Sequence, residues 1–162
     1  MRYLTQLSNY INLLVTNVVI LIAILCVVLG GVNVVNRSLI HYSLPWTGVL
    51  TRYLLIWLTF LGVTILVKKN NWIRIDFLVS KLDFKKQVFF NFIYYFILFV
   101  FSSVLLIKGI DLILMSAIRN QEIPTLYISQ LWLYLSAPLA GFIILIHLFV
   151  LVWQLINTRG VS

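Results

Sequence analysis

The sequence predicts an all-α integral membrane protein with four transmembrane helices. Of its 162 residues, 62% are hydrophobic and 10% are charged, whereas a soluble domain carries about 25% charged residues. Four apolar runs are each long enough to cross a hydrocarbon core of about 30 Å as a helix that rises 1.5 Å per residue. Most charged residues lie between these runs or at their ends. This pattern excludes an ordinary soluble fold.

The first apolar run follows a more polar stretch, residues 1–12, in which apolar residues recur at helical spacing. We therefore expect this stretch to rest in the membrane interface before the first crossing, residues 13–35. Within the crossing, Gly30 and Gly31 leave a flat patch that another backbone can approach.

The second crossing is predicted over residues 49–67, about 19 residues that span roughly 28 Å. Lys68 and Lys69 end it. Residues 68–87 then combine basic side chains with apolar residues at steps of three and four, which predicts a short amphipathic segment in the interface. The alternative interpretation is a polar loop whose apolar residues occur by chance.

The third run, predicted as residues 88–118, is rich in phenylalanine and tyrosine. As one helix it would be about 46 Å long, so it must tilt or project beyond the bilayer. Lys108 and Asp111 are three residues apart and can pair on its surface. The fourth crossing is predicted over residues 127–157. There Pro138 should kink the helix, and the small residues around it should form a helix contact face.

Orientation follows from counting Lys and Arg, since cytoplasmic loops are enriched in both. The side that holds both termini carries eight of them: Arg2, Lys68, Lys69, Arg74, Lys81, Lys85, Lys86 and Arg159. The opposite side carries four: Arg37, Arg52, Lys108 and Arg119. We therefore expect both termini in the cytoplasm. The net charge of +8 reflects this topology, so we expect no nucleic-acid binding.

Candidate catalytic and metal-binding groups are few. Cys26 is the single cysteine, which excludes an intrachain disulfide and a CxxC redox pair. His41 and His147 are far apart in the sequence and do not form the paired ligands of a membrane haem or a metal site. We expect His147 to be a core residue that bonds to a neighbouring helix. The sequence therefore predicts no enzyme, no cofactor and no metal.

The four acidic residues give the most informative negative result. They all fall at predicted interfaces or loops: Asp76, Asp83, Asp111 and Glu122. An ion-coupled carrier that works alone should place carboxylates, broken helices or polar clusters near the midplane. This distribution favours a structural subunit that supports another membrane protein. The alternative is a self-contained four-helix exporter that works as a dimer, which would need a carboxylate within its first helix.

Two segments carry a family pattern. In residues 44–82 the matching positions are Trp46, Leu50, Arg52, Trp57, Phe60, Leu61, Gly62, Ile73, Asp76 and Leu78. In residues 123–145 they are Pro124, Trp132, Tyr134, Ser136 and Pro138. On these residues the chain resembles the small permease (DctQ-like) subunit of tripartite ATP-independent periplasmic (TRAP) transporters. Two departures are Gly48 and Val49, where many members carry glutamates, and Trp72, where many carry histidine.

The resemblance implies a multi-pass protein of the bacterial inner membrane that works in a three-part system. Its partners would be a large permease subunit, which carries substrate and sodium, and a periplasmic substrate-binding protein. The implied substrate is a carboxylate, either sialic acid, which we prefer, or a C4-dicarboxylate. This chain would act as a scaffold for the large permease without binding substrate itself.

Three groups of residues are candidate interaction sites under this hypothesis. Anchors to anionic phospholipid headgroups are expected at Lys68, Lys69, Trp72 and Arg74, although these residues also fit a plain topology signal. A subunit-interface or folding role is expected for Arg52, Asp76 and Pro138. Docking of the binding protein is expected on outer loops at Arg37, His41, Tyr42, Arg119 and Glu122.

Overall fold

The computed structural model describes residues 2–40, 44–69, 84–115, 121–123 and 125–159, of which residues 2, 40, 84–88 and 154–159 are described by their backbone alone. Three of the long helices are α1 (Arg2–Val35), α2 (Pro45–Lys69) and α3 (Phe84–Leu114). Two short strands follow, β1 (Glu122–Ile123) and β2 (Ile128–Ser129). The chain then forms a four-residue helix, α4 (Leu131–Tyr134), and a fourth long helix, α5 (Ser136–Arg159).

The predicted fold class is confirmed. In the described part of the chain, four helical segments are long and apolar enough to cross a membrane: Tyr3–Leu39, Pro45–Lys69, Phe89–Leu114 and Leu131–Trp153. The placement of both termini in the cytoplasm stays a prediction. Of the predicted amphipathic segment, residues 70–83 lie outside the described residues, whereas residues 68–69 end α2 and residues 84–87 form the first turn of α3, which begins four residues before its predicted start.

Helix α1 differs from its predicted division into an interfacial piece and a crossing. Residues 2–35 form one continuous helix of 34 residues, about 51 Å long. A turn of π-helix, Asn36–Ile40, extends it. The polar residues before Leu13 therefore do not break the helix, because amphipathic spacing suits the end of a long membrane helix as well as a separate surface helix.

The long helices are arranged around α5. Helices α1 and α2 pack on each other, α2 also packs on α5, and α3 packs chiefly on α5. In the most apolar 18-residue stretch of the span Leu131–Trp153, which contains most of α5, half of the residues are buried. In the corresponding stretch of Tyr3–Leu39, which contains most of α1, only 6% are buried. Helix α5 is therefore the centre of the fold, and α1 lies at its margin.

Apolar residues fill the two main contacts of α2. Val15 and Ile22 of α1 meet Leu61 of α2 and Ile143 of α5 in one buried cluster. In the second, Val67 of α2 and Leu98 of α3 pack with two residues of α5, Ile144 and Leu148. Each cluster includes at least one residue of α5, and this helix has more buried residues than any other described element.

Glycine allows α3 to lie very close to α5. A Cβ atom on Gly109 of α3 would be 2.6 Å from Pro138 Cδ, and one on Gly141 of α5 would be 2.9 Å from the Ser102 carbonyl oxygen. Ser136 and Ala140 on the same part of α5 are fully buried or nearly so. The small-residue contact face predicted around Pro138 is present, and its neighbour is α3.

The segment before α5 is not the start of a helix, as the predicted boundary at residue 127 required. Strands β1 and β2 pair antiparallel, with Glu122 opposite Ser129 and Ile123 opposite Ile128. Between them Tyr127 adopts a left-handed conformation with a φ of 51°, which an α-helix cannot contain. Regular helical structure begins only at Leu131.

The helical path is interrupted at Leu135, three residues before Pro138. Proline has no amide hydrogen, so it cannot bond to the carbonyl four residues earlier, which belongs to Tyr134. The bonds on either side persist, since the Leu135 amide donates to the Leu131 carbonyl (2.9 Å) and the Leu139 amide to the Leu135 carbonyl (3.3 Å). Proline therefore separates α4 from α5 without reversing the chain direction.

We predict that Gly109→Ala destabilises the protein by about 1–3 kcal/mol, because the new methyl group meets backbone and ring atoms of Pro138 that cannot yield easily. The matched control is Gly62→Ala in α2, where no atom outside the local helix lies within 4 Å of the new Cβ. Removing that helical glycine should stabilise the protein by about 0.5–1 kcal/mol. The free energy of unfolding in mixed micelles measures both. Equal effects would contradict close packing at Gly109.

Candidate interaction surfaces and a buried polar cluster

The predicted lipid anchors lie only partly within the described structure. Lys68 and Lys69 are the last two residues of α2. Lys69 is exposed and available to a headgroup, whereas Lys68 is half-buried. Trp72 and Arg74 lie outside the described residues. The structure therefore separates the two lysines, and only Lys69 has the exposed position that the lipid hypothesis assumed.

The residues predicted for the subunit interface or the fold have different environments. Arg52 is exposed on α2, and within the described chain it forms no ion pair. Pro138 is buried against Gly109 in the α3–α5 contact. Asp76 lies outside the described residues. Pro138 thus has a packing role inside this chain, whereas Arg52 presents its charge on the surface.

Two of the predicted docking residues are visible. Arg37 is exposed in the π-helical turn after α1, and Glu122 is exposed in β1. The β1–β2 hairpin lies at the end of the bundle where α2 begins, since Trp57 in the middle of α2 donates to the Trp132 carbonyl of α4 (3.0 Å), whereas the later α2 residues Leu61 and Val67 pack against α5. We call this the hairpin end. His41, Tyr42 and Arg119 lie outside the described residues.

A buried polar cluster joins three helices at the opposite end. Lys68 Nζ of α2 donates a hydrogen bond to Ser8 Oγ of α1 (2.6 Å). Ser8 Oγ is also 2.9 Å from His147 Nδ1 of α5. Ser8 and His147 are completely buried. We call these three residues the Ser8 cluster, and it fixes the first turns of α1 against α2 and α5.

Most other hydroxyl groups in the long helices bond within their own helix. Each donates to a carbonyl three or four residues earlier, as at Thr16, Thr51, Thr59, Thr64, Ser102 and Ser103. This local bond satisfies a hydroxyl in an apolar medium without help from a neighbour. Ser8 differs because its hydroxyl connects two other helices.

The prediction that His147 bonds to a neighbouring helix is confirmed, and the partner is Ser8. The participation of Ser8 and Lys68 in this cluster was not predicted. Ser8 fell in the predicted interfacial segment, and Lys68 was expected to face lipid. The signal that could have shown the cluster is the continuity of α1, since a helix starting at residue 2 places Ser8 level with the end of α2 and with His147.

An apolar groove runs between α2 and α3 over α5. Its larger part, about 370 Å³, lies towards the hairpin end and is lined by Ile56, Phe60, Val104, Leu105, Lys108, Gly109, Leu112, Leu133, Tyr134, Ser136 and Ala137. A smaller part of about 130 Å³ continues along Val63 and Phe101 to Ile144.

The predicted ion pair between Lys108 and Asp111 forms on the surface of α3, with Lys108 Nζ 3.2 Å from Asp111 Oδ2.

Metal-binding clusters are absent from the described part of the chain, where no group of three or more His, Cys, Asp and Glu side chains comes together. The two acidic residues that the structure describes are both exposed, Asp111 in α3 and Glu122 in β1. The arrangement therefore offers packing surfaces and one buried polar cluster.

Comparison with known families gives one match. The DctQ component of tripartite ATP-independent periplasmic transporters matches residues 25–158, which is more than four fifths of the chain. The chain belongs to the DctQ family. No curated protein matches it significantly.

The DctQ family establishes the general role and location. A DctQ protein is a component of a TRAP transporter and functions with a large permease and a periplasmic binding protein. The family is one of transporter components and not of enzymes. Its membrane role and the four apolar helices confirm the predicted location as a multi-pass protein of the inner membrane. Lys68 and His147 lie within the matched residues, whereas Ser8 precedes them.

We predict that Ser8→Ala lowers the free energy of unfolding by about 1–3 kcal/mol, because His147 Nδ1 and the Lys68 ammonium lose their shared partner in a buried site. The matched control is Ser103→Ala, since Ser103 Oγ donates only to the Phe99 carbonyl of its own helix. That change should stay within about 0.5 kcal/mol. Unfolding titrations in mixed micelles measure both variants. A similar decrease in the free energy of unfolding of both variants would contradict the role of Ser8 in connecting the helices.

Proposed function

We propose that this DctQ protein is the small membrane subunit of a sodium-coupled importer of a carboxylate, which a periplasmic binding protein delivers. Its role in the importer is to support the large permease subunit, and it binds neither substrate nor sodium itself. The family membership supports the transport role. The scaffold role, the coupling ion and the substrate class extend beyond it.

The distribution of acidic residues carries the scaffold proposal. Among the four spans, Asp111 is the only acid, and it lies three residues before the end of α3 with 58% of its side chain exposed. A sodium site in the middle of a membrane protein needs oxygen ligands, and carboxylates are the usual charged ones. The midsections of the four described spans contain no carboxylate.

Exposed apolar surface supports a large protein partner. In the most apolar 18-residue stretch of the first span, only 6% of the residues are buried within this chain. A Cβ atom added to Gly30 or Gly31 would have no atom beyond the local helix within 4 Å. Small residues on a membrane helix allow another helix to approach closely. We therefore propose that the large permease covers part of α1, including the flat patch foreseen at these two glycines.

The substrate proposal rests on the resemblance alone. Sialic acid is preferred and a C4-dicarboxylate is the alternative within the same transporter class. The dimeric exporter has less support, because α1 contains no acidic residue. Phospholipid remains a proposed partner through Lys69, Trp72 and Arg74, whereas Lys68 is already engaged by Ser8.

We predict that this chain reconstituted alone in proteoliposomes gives no sodium-driven uptake of sialic acid or succinate. Adding the large permease and the binding protein should give uptake of one of them that depends on a sodium gradient. Labelled substrate measures transport, and omission of each component is the control. Uptake by this chain alone would overturn the scaffold proposal, and uptake without sodium in the full system would overturn the coupling.

We predict that assembly and docking can be separated by mutation. Arg52→Ala and Asp76→Ala should reduce copurification with the large permease, because these residues are proposed to hold the interface or the fold. Arg37→Glu and Glu122→Lys, two exposed sites, should lower uptake severalfold while copurification stays normal. Pull-down and uptake from the same preparations measure both. Loss of the complex in the charge-reversal variants would reassign Arg37 and Glu122 to assembly.

A further inference from the structure

The apolar groove between α2 and α3 is closed at one of its ends. At the hairpin end its lining includes Lys108 and Tyr134, and its other end lies at Ile144. Beyond that point Val67 of α2 and Leu98 of α3 belong to one buried cluster with α5, so the helices close together. The groove therefore reaches from one membrane interface into the middle of the bundle and stops there.

The length of the groove matches the depth of one lipid leaflet. Along α3 its lining extends from Phe101 to Leu112, about 17 Å of helix. Half of a hydrocarbon core of about 30 Å is about 15 Å, the depth that the acyl chains of one leaflet fill. Two of the lining residues, Val104 and Leu112, are 52% and 38% exposed. The groove is therefore open sideways, towards the bilayer.

A pair of opposite charges lies at the mouth of the groove. Among the described residues that line it, Lys108 is the only charged one, and its Nζ is 3.2 Å from Asp111 Oδ2. Both side chains are largely exposed, at 72% and 58%, and an exposed ion pair contributes little to stability. Each charge is therefore available to a second partner, the ammonium to a phosphate and the carboxylate to an amine.

We propose that this groove binds one phospholipid with an ethanolamine headgroup, from the leaflet at the hairpin end. One acyl chain lies in the groove, the phosphate binds Lys108 and the ethanolamine ammonium binds Asp111. A glycerol headgroup leaves the lipid anionic, with no positive charge to offer Asp111. A choline headgroup has no N–H to donate to the carboxylate. The site lies at the opposite end of the bundle from the headgroup contact proposed for Lys69.

A helix of the large permease fits the groove less well than a lipid chain. A transmembrane helix crosses the whole hydrocarbon core, about 30 Å, so it needs a contact surface that continues across the bilayer. The exposed apolar surface of α1 has that extent, whereas the groove stops at Ile144. An acyl chain also ends near the middle of the bilayer.

The experiment uses the full chain in proteoliposomes that contain a photoactivatable phospholipid. The probe carries a diazirine in one acyl chain and an ethanolamine, choline or glycerol headgroup, and peptide mass spectrometry locates the crosslinks. We expect the ethanolamine probe to label Phe60 and Leu105 in the groove severalfold more than Ile107 and Ile110, which are exposed on α3 outside the lining. The choline and glycerol probes should label the groove severalfold less.

Variants provide matched comparisons for the chain and for the headgroup. Val104→Trp places a larger side chain in the groove and should reduce its labelling severalfold, whereas Ile107→Trp, at a similar depth outside the lining, should leave it unchanged. Lys108→Gln should also reduce labelling by the ethanolamine probe severalfold. Its control is Arg37→Gln, at an exposed cation outside the groove, which should have no effect.

Several results would overturn the proposal. They are equal labelling of the groove and the outer face of α3, equal groove labelling by the three probes, and unchanged labelling in Lys108→Gln. Loss of groove labelling when the large permease is present in the same proteoliposomes would also overturn it, because the groove would then be a protein contact. The parent protein alone decides between a specific site and general lipid contact, so a variant that fails to fold does not prevent a decision.

Discussion

Close contact between α3 and α5 is the constraint on which the rest of the fold depends. Lipid chains are as apolar as the helix surfaces, so helices in a membrane gain little from the hydrophobic effect and rely on tight packing. Here the packing depends on Gly109 and Gly141, where a side chain would meet the opposite backbone. Helix α3 packs chiefly on α5, so its position in the protein follows from this contact. The α2–α3 groove follows too, because α2 and α3 both pack on α5 and leave the groove between them.

Polar side chains obey a second constraint, which acts on the opposite end of the bundle. Threonine and serine hydroxyls mostly bond within their own helices and leave the helix surfaces effectively apolar. Such hydroxyls allow helices to slide or rotate without loss of a bond. Ser8 uses its hydroxyl differently, since it connects α1 to both Lys68 and His147. Polar contacts between helices depend on alignment, so the Ser8 cluster selects one register for α1.

Sequence reasoning found the features that depend on local composition. Four apolar runs, the Lys108–Asp111 pair and the small residues around Pro138 are readable because each involves neighbours in the chain. The Ser8–His147 bond joins residues 139 positions apart, and no local pattern indicates such a contact. The hairpin was missed for a different reason. Its strands have two residues each, too few for alternation to be seen, and Pro124 suited the start of a helix equally well. The role of residues 70–83 remains a prediction from amphipathic spacing.

The marginal position of α1 has a consequence for how much of this protein a cell can maintain. Little of the apolar surface of α1 is covered by its own chain. A partner that covers this surface stabilises the folded form, and the stabilisation grows with the concentration of the partner. Copies made in excess of the partner lack this contribution and are the ones most open to degradation. Under the proposed contact between α1 and the large permease, turnover of surplus copies would keep the amount of this subunit close to that of its partner.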